Sequence, residues 1–374
     1  MGTASAVPFL YEKFVYILCC LKYNISMNSK AKYILLHIVI LMVLMAVFVI
    51  LSCSVKDGAK LEVHFIDVGE ADAILVICQG HAMMIDGGDR EDSQLIYAYL
   101  KERGITELDY IFATHSDSDH VGGLAAALRF LKVGSVYCSS DEADSRAFRS
   151  FRYYTEAQGL SIKKPEAGER FSLGDAELTV LGPTREAEEQ NNNSIVIRLV
   201  YGETSFLFTG DMEFEEEADL LASGAELKST LLKVAHHGSA YSTGEELLSK
   251  VKPKYAVISV GDNDYGHPAK TLLKRLEGVG AKVLRTDILG HIVFMSDGKD
   301  LTYTANRESS SARTLSEYDS YASEGYVLNK RSMVFHYPWC ESVEKMSDAN
   351  REYFDGSREE LVEMGCSPCG ICGP

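Results

Sequence analysis

The sequence predicts an α/β fold in which two mixed sheets pack together with helices outside. Two observations carry this. From Leu61 onward, short β-rich apolar runs first cluster and then alternate with helical stretches, and that order occurs twice. Hydrophobic residues make up 46% of the 374-residue chain, enough for a sizeable core and too many for a chain disordered in its main part. Leu61–Asp67, Ala73–Cys78 and His81–Ile85 are β-rich, with Gln79-Gly80 as a hairpin turn between the last two. Asp92–Arg103 places Leu95, Ile96, Tyr99 and Leu100 at helical spacing and stops before Gly104. Tyr110–Ala113 is a strand and Val121–Leu131 a helix. Further strands are expected at Ala176–Leu181, Ser194–Val200, Thr204–Phe208, Leu231–Val234, Tyr255–Val260 and Lys282–Arg285, and helices near Glu213–Leu221, Gly244–Val251 and Ala269–Leu276.

Lys and Arg number 37 against 54 Asp and Glu, a formal charge of −17. Such acidity excludes a protein that wraps duplex DNA by charge, which needs Lys and Arg to displace phosphate counterions. Any nucleic-acid chemistry must rest on a local site. Residues 1–59 read as an N-terminal region with a signal peptide or membrane anchor. Tyr33–Leu51 is a nineteen-residue apolar run broken only by His37 and preceded by Lys30 and Lys32. Ile50-Leu51-Ser52-Cys53 resembles a lipobox, in which the cysteine becomes a lipidated N-terminus, and Met27-Asn28-Ser29-Lys30 suits the start of such a signal. Cys53 is either lipidated or a bystander behind an uncleaved anchor. Both readings put the rest of the chain on the extracytoplasmic face of a bacterial membrane.

After the Tyr110–Ala113 strand comes Thr114-His115-Ser116-Asp117-Ser118-Asp119-His120. Imidazole and carboxylate at this density, in a loop that ends a strand, suit zinc or manganese. Asp211 ends Phe206-Leu207-Phe208-Thr209-Gly210-Asp211, and His236-His237-Gly238 closes Leu231–Ala235, so more donors again follow apolar strands.

These residues, in this order, resemble the metallo-β-lactamase superfamily over nearly all of Leu61–Tyr303. Within it they are most similar to the extracytoplasmic domain of ComEC-type DNA-uptake proteins. That group reads close to VHFIDVGQGDA, and this chain has Val63-His64-Phe65-Ile66-Asp67-Val68-Gly69-Glu70-Ala71-Asp72-Ala73. Ile85-Asp86-Gly87-Gly88, Asn192-Asn193-Ser194, Phe208-Thr209-Gly210-Asp211, Lys233 to Ser239 and Tyr265-Gly266-His267-Pro268 also match. The resemblance implies an αββα sandwich over residues 60–304 and a dinuclear centre. In it, His115 and Asp117 hold one divalent ion, Asp119 and His120 the other, and Asp211 bridges both. Asn193 stands where a third histidine completes the first site elsewhere, which makes that site harder and weaker and either moves its preference from zinc toward manganese or leaves it partly empty. One of His236 and His237 completes the second site, with His236 the choice for ligand and His237 for catalytic residue. Asp86 supports the ligand loop, and His267 and Asn193 line the pocket as further catalytic candidates.

No Gly-x-Ser-x-Gly elbow is present, and a dinuclear centre needs none, because the ions make water the nucleophile. The expected function is a membrane-tethered, metal-dependent hydrolase, a nuclease or phosphodiesterase acting on nucleic acid or a smaller phosphodiester. The alternatives are a hydrolase of another ester or amide, and a non-enzymatic nucleic-acid-binding module with a decayed site.

Residues 305–325 are Ser-rich and read as a linker; 326–374 form a tail too small to hold together easily without metal or disulfides. His336 and Cys340, with the Cys369-x-x-Cys372 knuckle, supply four ligands for one structural zinc. The pattern resembles the small metal-binding domain of Ada-type DNA-repair proteins. Cys366 either replaces His336 or is spare.

Overall fold

The structure is a computed structural model. It describes residues 61–307, 326–336 and 340–369 apart from 355 and 357, together with Lys30, Tyr33 and His37. The rest of the Tyr33–Leu51 run, Cys53, nearly all of the linker and Cys372 lie outside the described residues. Among the described residues no helix is long and apolar enough to cross a membrane.

The chain begins sheet one with Leu61–Phe65 (β1), Ala73–Cys78 (β2), His81–Gly87 (β3), Glu107–Ala113 (β4), Lys132–Cys138 (β5) and Ile162–Lys163 (β6). It then builds sheet two from Arg170–Leu173 (β7), Ala176–Gly182 (β8), Val196–Tyr201 (β9), Thr204–Phe208 (β10), Leu231–Lys233 (β11), Tyr255–Ile258 (β12) and Lys282–Arg285 (β13). Ile292–Ser296 (β14) and Leu301–Ala305 (β15) return to sheet one. The spatial orders are β15-β14-β1-β2-β3-β4-β5-β6 and β13-β12-β11-β10-β9-β8-β7. The run from β3 to β6 is parallel, and so is the run from β10 to β13.

Strand alternation sorts side chains between layers. In β2, Ile74, Val76 and Cys78 face the inter-sheet core, where they join Val63, Phe65, Phe112, Phe206 and Phe208. Leu75 points the other way, toward helices Ser93–Glu102 (α1), Leu124–Phe130 (α3) and Arg146–Ala157 (α4), whose Ile96, Leu100, Leu124, Phe148 and Phe151 cover sheet one; between α1 and α3 lies the short Ser118–Val121 (α2). Phe214–Ala222 (α5), Glu245–Val251 (α6) and Lys270–Gly278 (α7) cover sheet two through Leu220, Leu248 and Leu276. The layers therefore run helix, sheet, sheet, helix, as expected.

Several elements differ from the sequence expectation. The helix expected at Val121–Leu131 is two pieces, α2 and α3, on either side of Gly122-Gly123, and it starts earlier, inside the ligand loop. Helix α4 and strands β5, β6, β7, β14 and β15 are additional. β5 reads KVGSVYC, and its Gly and Ser look like a turn. The glycine is needed because a Cβ at Gly134 would lie 2.6 Å from the Asp109 carbonyl on β4.

In the tail, Tyr326–Asn329 (β16), Val334–His336 (β17), Arg351–Phe354 (β18) and Ser367–Pro368 (β19) form a sheet ordered β18-β16-β17-β19. Glu341–Glu344 and Arg358–Glu363 are its short helices. Cys340 and Cys369 belong to one small core with Val327, Val343 and Met346, and Cys366 to another with Leu328, Phe335 and Leu361.

Candidate metal centre

The donors gather where parallel strands of both sheets end. β4 delivers Thr114 and His115; Asp117 precedes α2, and that helix's single turn carries Asp119 and His120 back over the strand end. β10 leads to Asp211, and β11 leads to the turn with His236 and His237. Those two histidines both have positive φ, 49° and 50°, a backbone state costing of order 1 kcal/mol per non-glycine residue and typical of functional turns.

Ligand atoms of Asp119, His120, Asp211 and His237 all lie within 4.8 Å of one another. His120 Nε2 stands 3.3 Å from Asp119 Oδ2 and 3.3 Å from Asp211 Oδ2, and His237 Nε2 is 3.4 Å from each of the same two oxygens. The far nitrogens are already committed. His120 Nδ1 donates to Asp86 Oδ2 at 2.9 Å, and His237 Nδ1 donates to the Ser259 carbonyl at 3.0 Å. Both Nε2 lone pairs are thereby fixed toward the cluster, the arrangement in which an outer partner orients a metal-binding imidazole. The Nε2 atoms of His115, His120 and His237 and Oδ1 of Asp211 are buried with no hydrogen-bond partner. Buried polar atoms left unpaired are costly, and those of His120, His237 and Asp211, three members of the four-ligand group, fit a divalent cation.

The electrostatics agree. Burial opposes ionisation of Asp211, yet the charges of His120 and His237 hold its carboxyl well below the usual range. Burial likewise opposes charging of His237, but Asp211 and Asp119 push its pKa up to about 10. Protons on the imidazoles fill the role of a cation that the carboxylates demand.

Beside this group, His115 and Asp117 form a second, poorer set. His115 Nε2 is 3.6 Å from Asp117 Oδ2, and the His115 and His120 rings are 4.1 Å apart. The Thr114 hydroxyl donates to Asp86 Oδ2 at 2.8 Å and lies 3.1 Å from His115 Nδ1, so Asp86 braces both halves of the centre, as expected.

The expected roles of His236, His237 and Asn193 need correction. His237, not His236, joins the four-ligand group. His236 is partly exposed, with its Nε2 3.9 Å from Asp211 Oδ2 and its Nδ1 3.1 Å from Glu213 Oε1, so it belongs to the rim. Asn193 does not enter the site. Its carboxamide is spent on its own loop, accepting from Ala187 N at 2.9 Å and donating to the Ala187 and Glu189 carbonyls. Its neighbours work instead: Asn192 accepts from the backbone of Glu213 and Glu216 at the start of α5, and Ser194 Oγ accepts from Asp211 N at 3.0 Å. Ser194, Ser259 and Thr114 were not singled out, because a hydroxyl or a backbone carbonyl carries no metal-site signal in sequence. His267 sits at the rim, its ring 5.5 Å from that of His236.

In the tail, ligand atoms of His336, Cys340 and Cys369 lie within 4.8 Å of one another, and all three residues are buried. The described cysteines form no disulfides. Cys366 packs in an apolar core and is spare to this group.

An αββα sandwich with imidazoles and carboxylates converging at its strand ends defines a metal-dependent hydrolase. Residues 66–262 match the metallo-beta-lactamase superfamily, and the chain belongs to it. It is 30% identical over 269 residues to ComE operon protein 3 of Bacillus subtilis (strain 168), spanning 66% of this chain and 34% of that one. It is also 30% identical over 231 residues to competence protein ComA of Neisseria gonorrhoeae, spanning 61% and 31%. The chain thus covers about a third of the length of these ComEC-type relatives. Among solved structures, the metallo-beta-lactamase fold protein YhfI from Bacillus subtilis aligns with 64% of this chain and 100% of its own at 13% identity, with a TM-score of 0.45.

Proposed function

We propose that the chain is a membrane-tethered, extracytoplasmic phosphodiesterase or nuclease with a dinuclear centre. The observation that carries the reading is the donor set. Asp117, Asp119 and Asp211 supply hard oxygen donors beside only three imidazoles, His115, His120 and His237, a mixture suited to ions that engage phosphate oxygens. Asp119, His120 and His237 would hold one ion, His115 and Asp117 the other, with Asp211 shared; bound there, such ions supply Lewis acidity and an activated water. Asp86, Ser259 and Ser194 keep those ligands aimed. The likeness to ComEC-type proteins supports nucleic acid as substrate, and the −17 charge favours single strands or small esters over duplex. In the tail, His336, Cys340 and Cys369, joined by Cys372, would hold a structural zinc.

The test is metal analysis followed by assays on a generic phosphodiester, a single-stranded oligonucleotide, a carboxylic ester and a β-lactam. Phosphodiester cleavage by the wild type and a loss of about 1,000-fold or more in Asp211→Ala, with the fold retained, are expected. Preference for the carboxylic ester or the β-lactam, or unchanged turnover in that variant, would refute the reading.

A further inference from the structure

The rim of the centre contains a hydrogen-bonded histidine–glutamate pair whose acidic partner departs from the resembled group's pattern. His267 Nδ1 is 2.8 Å from Glu70 Oε1. A carboxylate only accepts, so the proton lies on Nδ1 and the ring donates to Glu70. Glu70 Oε2 is held in turn by Gly261 N at 3.0 Å and by Asn263 Nδ2 at 3.2 Å. Asn263 also clamps the His267 backbone from both sides, accepting from His267 N and donating to the His267 carbonyl, each at 3.0 Å. The two loops touch backbone to backbone, and a Cβ at Gly261 would lie 2.5 Å from Gly69 Cα, so only glycine permits the approach. His267 is consequently fixed in place and in tautomer.

Its other nitrogen is uncommitted: Nε2 makes no hydrogen bond among the described residues, and the ring is about one-eighth exposed. The ring's neighbours are Tyr265, stacked at 5.7 Å, and His236, edge-on at 5.5 Å. His236 reaches within 3.9 Å of Asp211, which puts His267 at the mouth of the metal centre.

We propose that His267 is the proton donor to the leaving group and that Glu70 is its positioning residue. The proposal rests on the phosphodiesterase reading above. In the step, the oxygen of water bonds to phosphorus, the ester P–O bond breaks, and its electron pair stays on the departing oxygen. That oxygen takes the proton from His267 Nε2; the proton released by the water restores the ring, and the products are a phosphomonoester and an alcohol. Glu70 holds the ring through its Nδ1–H before the transfer and keeps that proton on Nδ1 afterwards.

A proton donor matters in proportion to how poorly the leaving group departs. Nitrophenolate leaves without a proton, whereas a nucleoside alkoxide does not. The experiment uses the full metal-loaded chain with bis(4-nitrophenyl) phosphate and a thymidylyl dinucleotide. His267→Ala is expected to lose about 100-fold or more on the dinucleotide and less than about tenfold on the nitrophenyl ester. The retained nitrophenyl activity also shows that the variant is folded and loaded. Glu70→Ala should reproduce the selective loss, whereas Glu70→Gln, which keeps an oxygen acceptor, should stay near wild type. Equal loss on both substrates, or none on the dinucleotide, would overturn the proton-donor role and leave the phosphodiesterase reading standing. A wild type inactive on both esters would overturn the two together.

Discussion

Adjacent histidines in a turn look alike in sequence, and only the partner of the far nitrogen tells a ligand from a rim residue. His237 gives its Nδ1 proton to the Ser259 carbonyl and presents Nε2 to Asp119 and Asp211, whereas His236 turns to Glu213. His237→Ala should therefore lower bound metal and cost about 100-fold or more in turnover, and His236→Ala should keep the metal and cost about tenfold or less. Metal analysis of the two purified variants checks this, and equal stoichiometry would reverse the assignment. The same logic explains what sequence disclosed about the site. That Asp119, His120 and Asp211 come together is legible because donors dense enough to repel one another need a cation. Asn193 was misassigned because a motif position does not say whether a carboxamide turns inward or bonds its own loop. Ser194, one residue on, occupies the place beside His115 and Asp211 that Asn193 was expected to fill.

The two sheets are tied by a buried charge pair as well as by apolar packing. Lys233, at the end of β11, reaches Asp72, just before β2, with Nζ 2.7 Å from Oδ2 and both side chains about 1% exposed. Breaking such a pair leaves an uncompensated charge, so Asp72→Asn should destabilise the fold by roughly 3–5 kcal/mol, read by denaturant unfolding. A second buried polar group makes stability depend on pH. His291, just before β14, accepts a hydrogen bond from Asp67 N at 2.8 Å through Nδ1 and must be neutral to do so. Burial, helped by the charge of Arg103, lowers its pKa to about 3. The folded value lies below the unfolded one near 6.5, so this contribution is present above about pH 6.5 and is lost as pH falls toward 3. Between pH 7 and 5 the wild type should lose roughly 1–2 kcal/mol more than His291→Gln. An identical loss would show that the histidine titrates freely when folded. Strands such as β1, β2 and β10 were legible from their apolar alternation and the Gln79-Gly80 turn. Helix α4 was not, although Ala147, Phe148, Phe151 and Tyr154 line one face, because its arginines and aromatics dilute the apolar periodicity.

Across the whole molecule, chemically different donor sets are expected to sort two metals. The hydrolase centre is rich in carboxylate, and the tail group combines two thiols with one imidazole. Thiolate favours zinc, and carboxylate tolerates manganese, so added manganese should raise hydrolysis more than added zinc, while a tightly bound zinc stays in the tail. His336 reports the tail's need for a cation. Burial works against its charge, yet contacts with Cys340 and Cys369 push its pKa up to about 9. If the tail zinc is structural, Cys340→Ser combined with Cys369→Ser should remove about one zinc per chain and loosen β16 to β19, seen as faster amide exchange there. Hydrolysis of a small phosphodiester should change by less than about twofold, because no described residue of the tail belongs to the ligand groups of the hydrolase centre. Selective weakening on a single-stranded oligonucleotide would mean that the tail presents the polymer. Equal loss on both substrates would mean instead that residues 326–374 support the catalytic sandwich, and the division of the chain into two modules would fail.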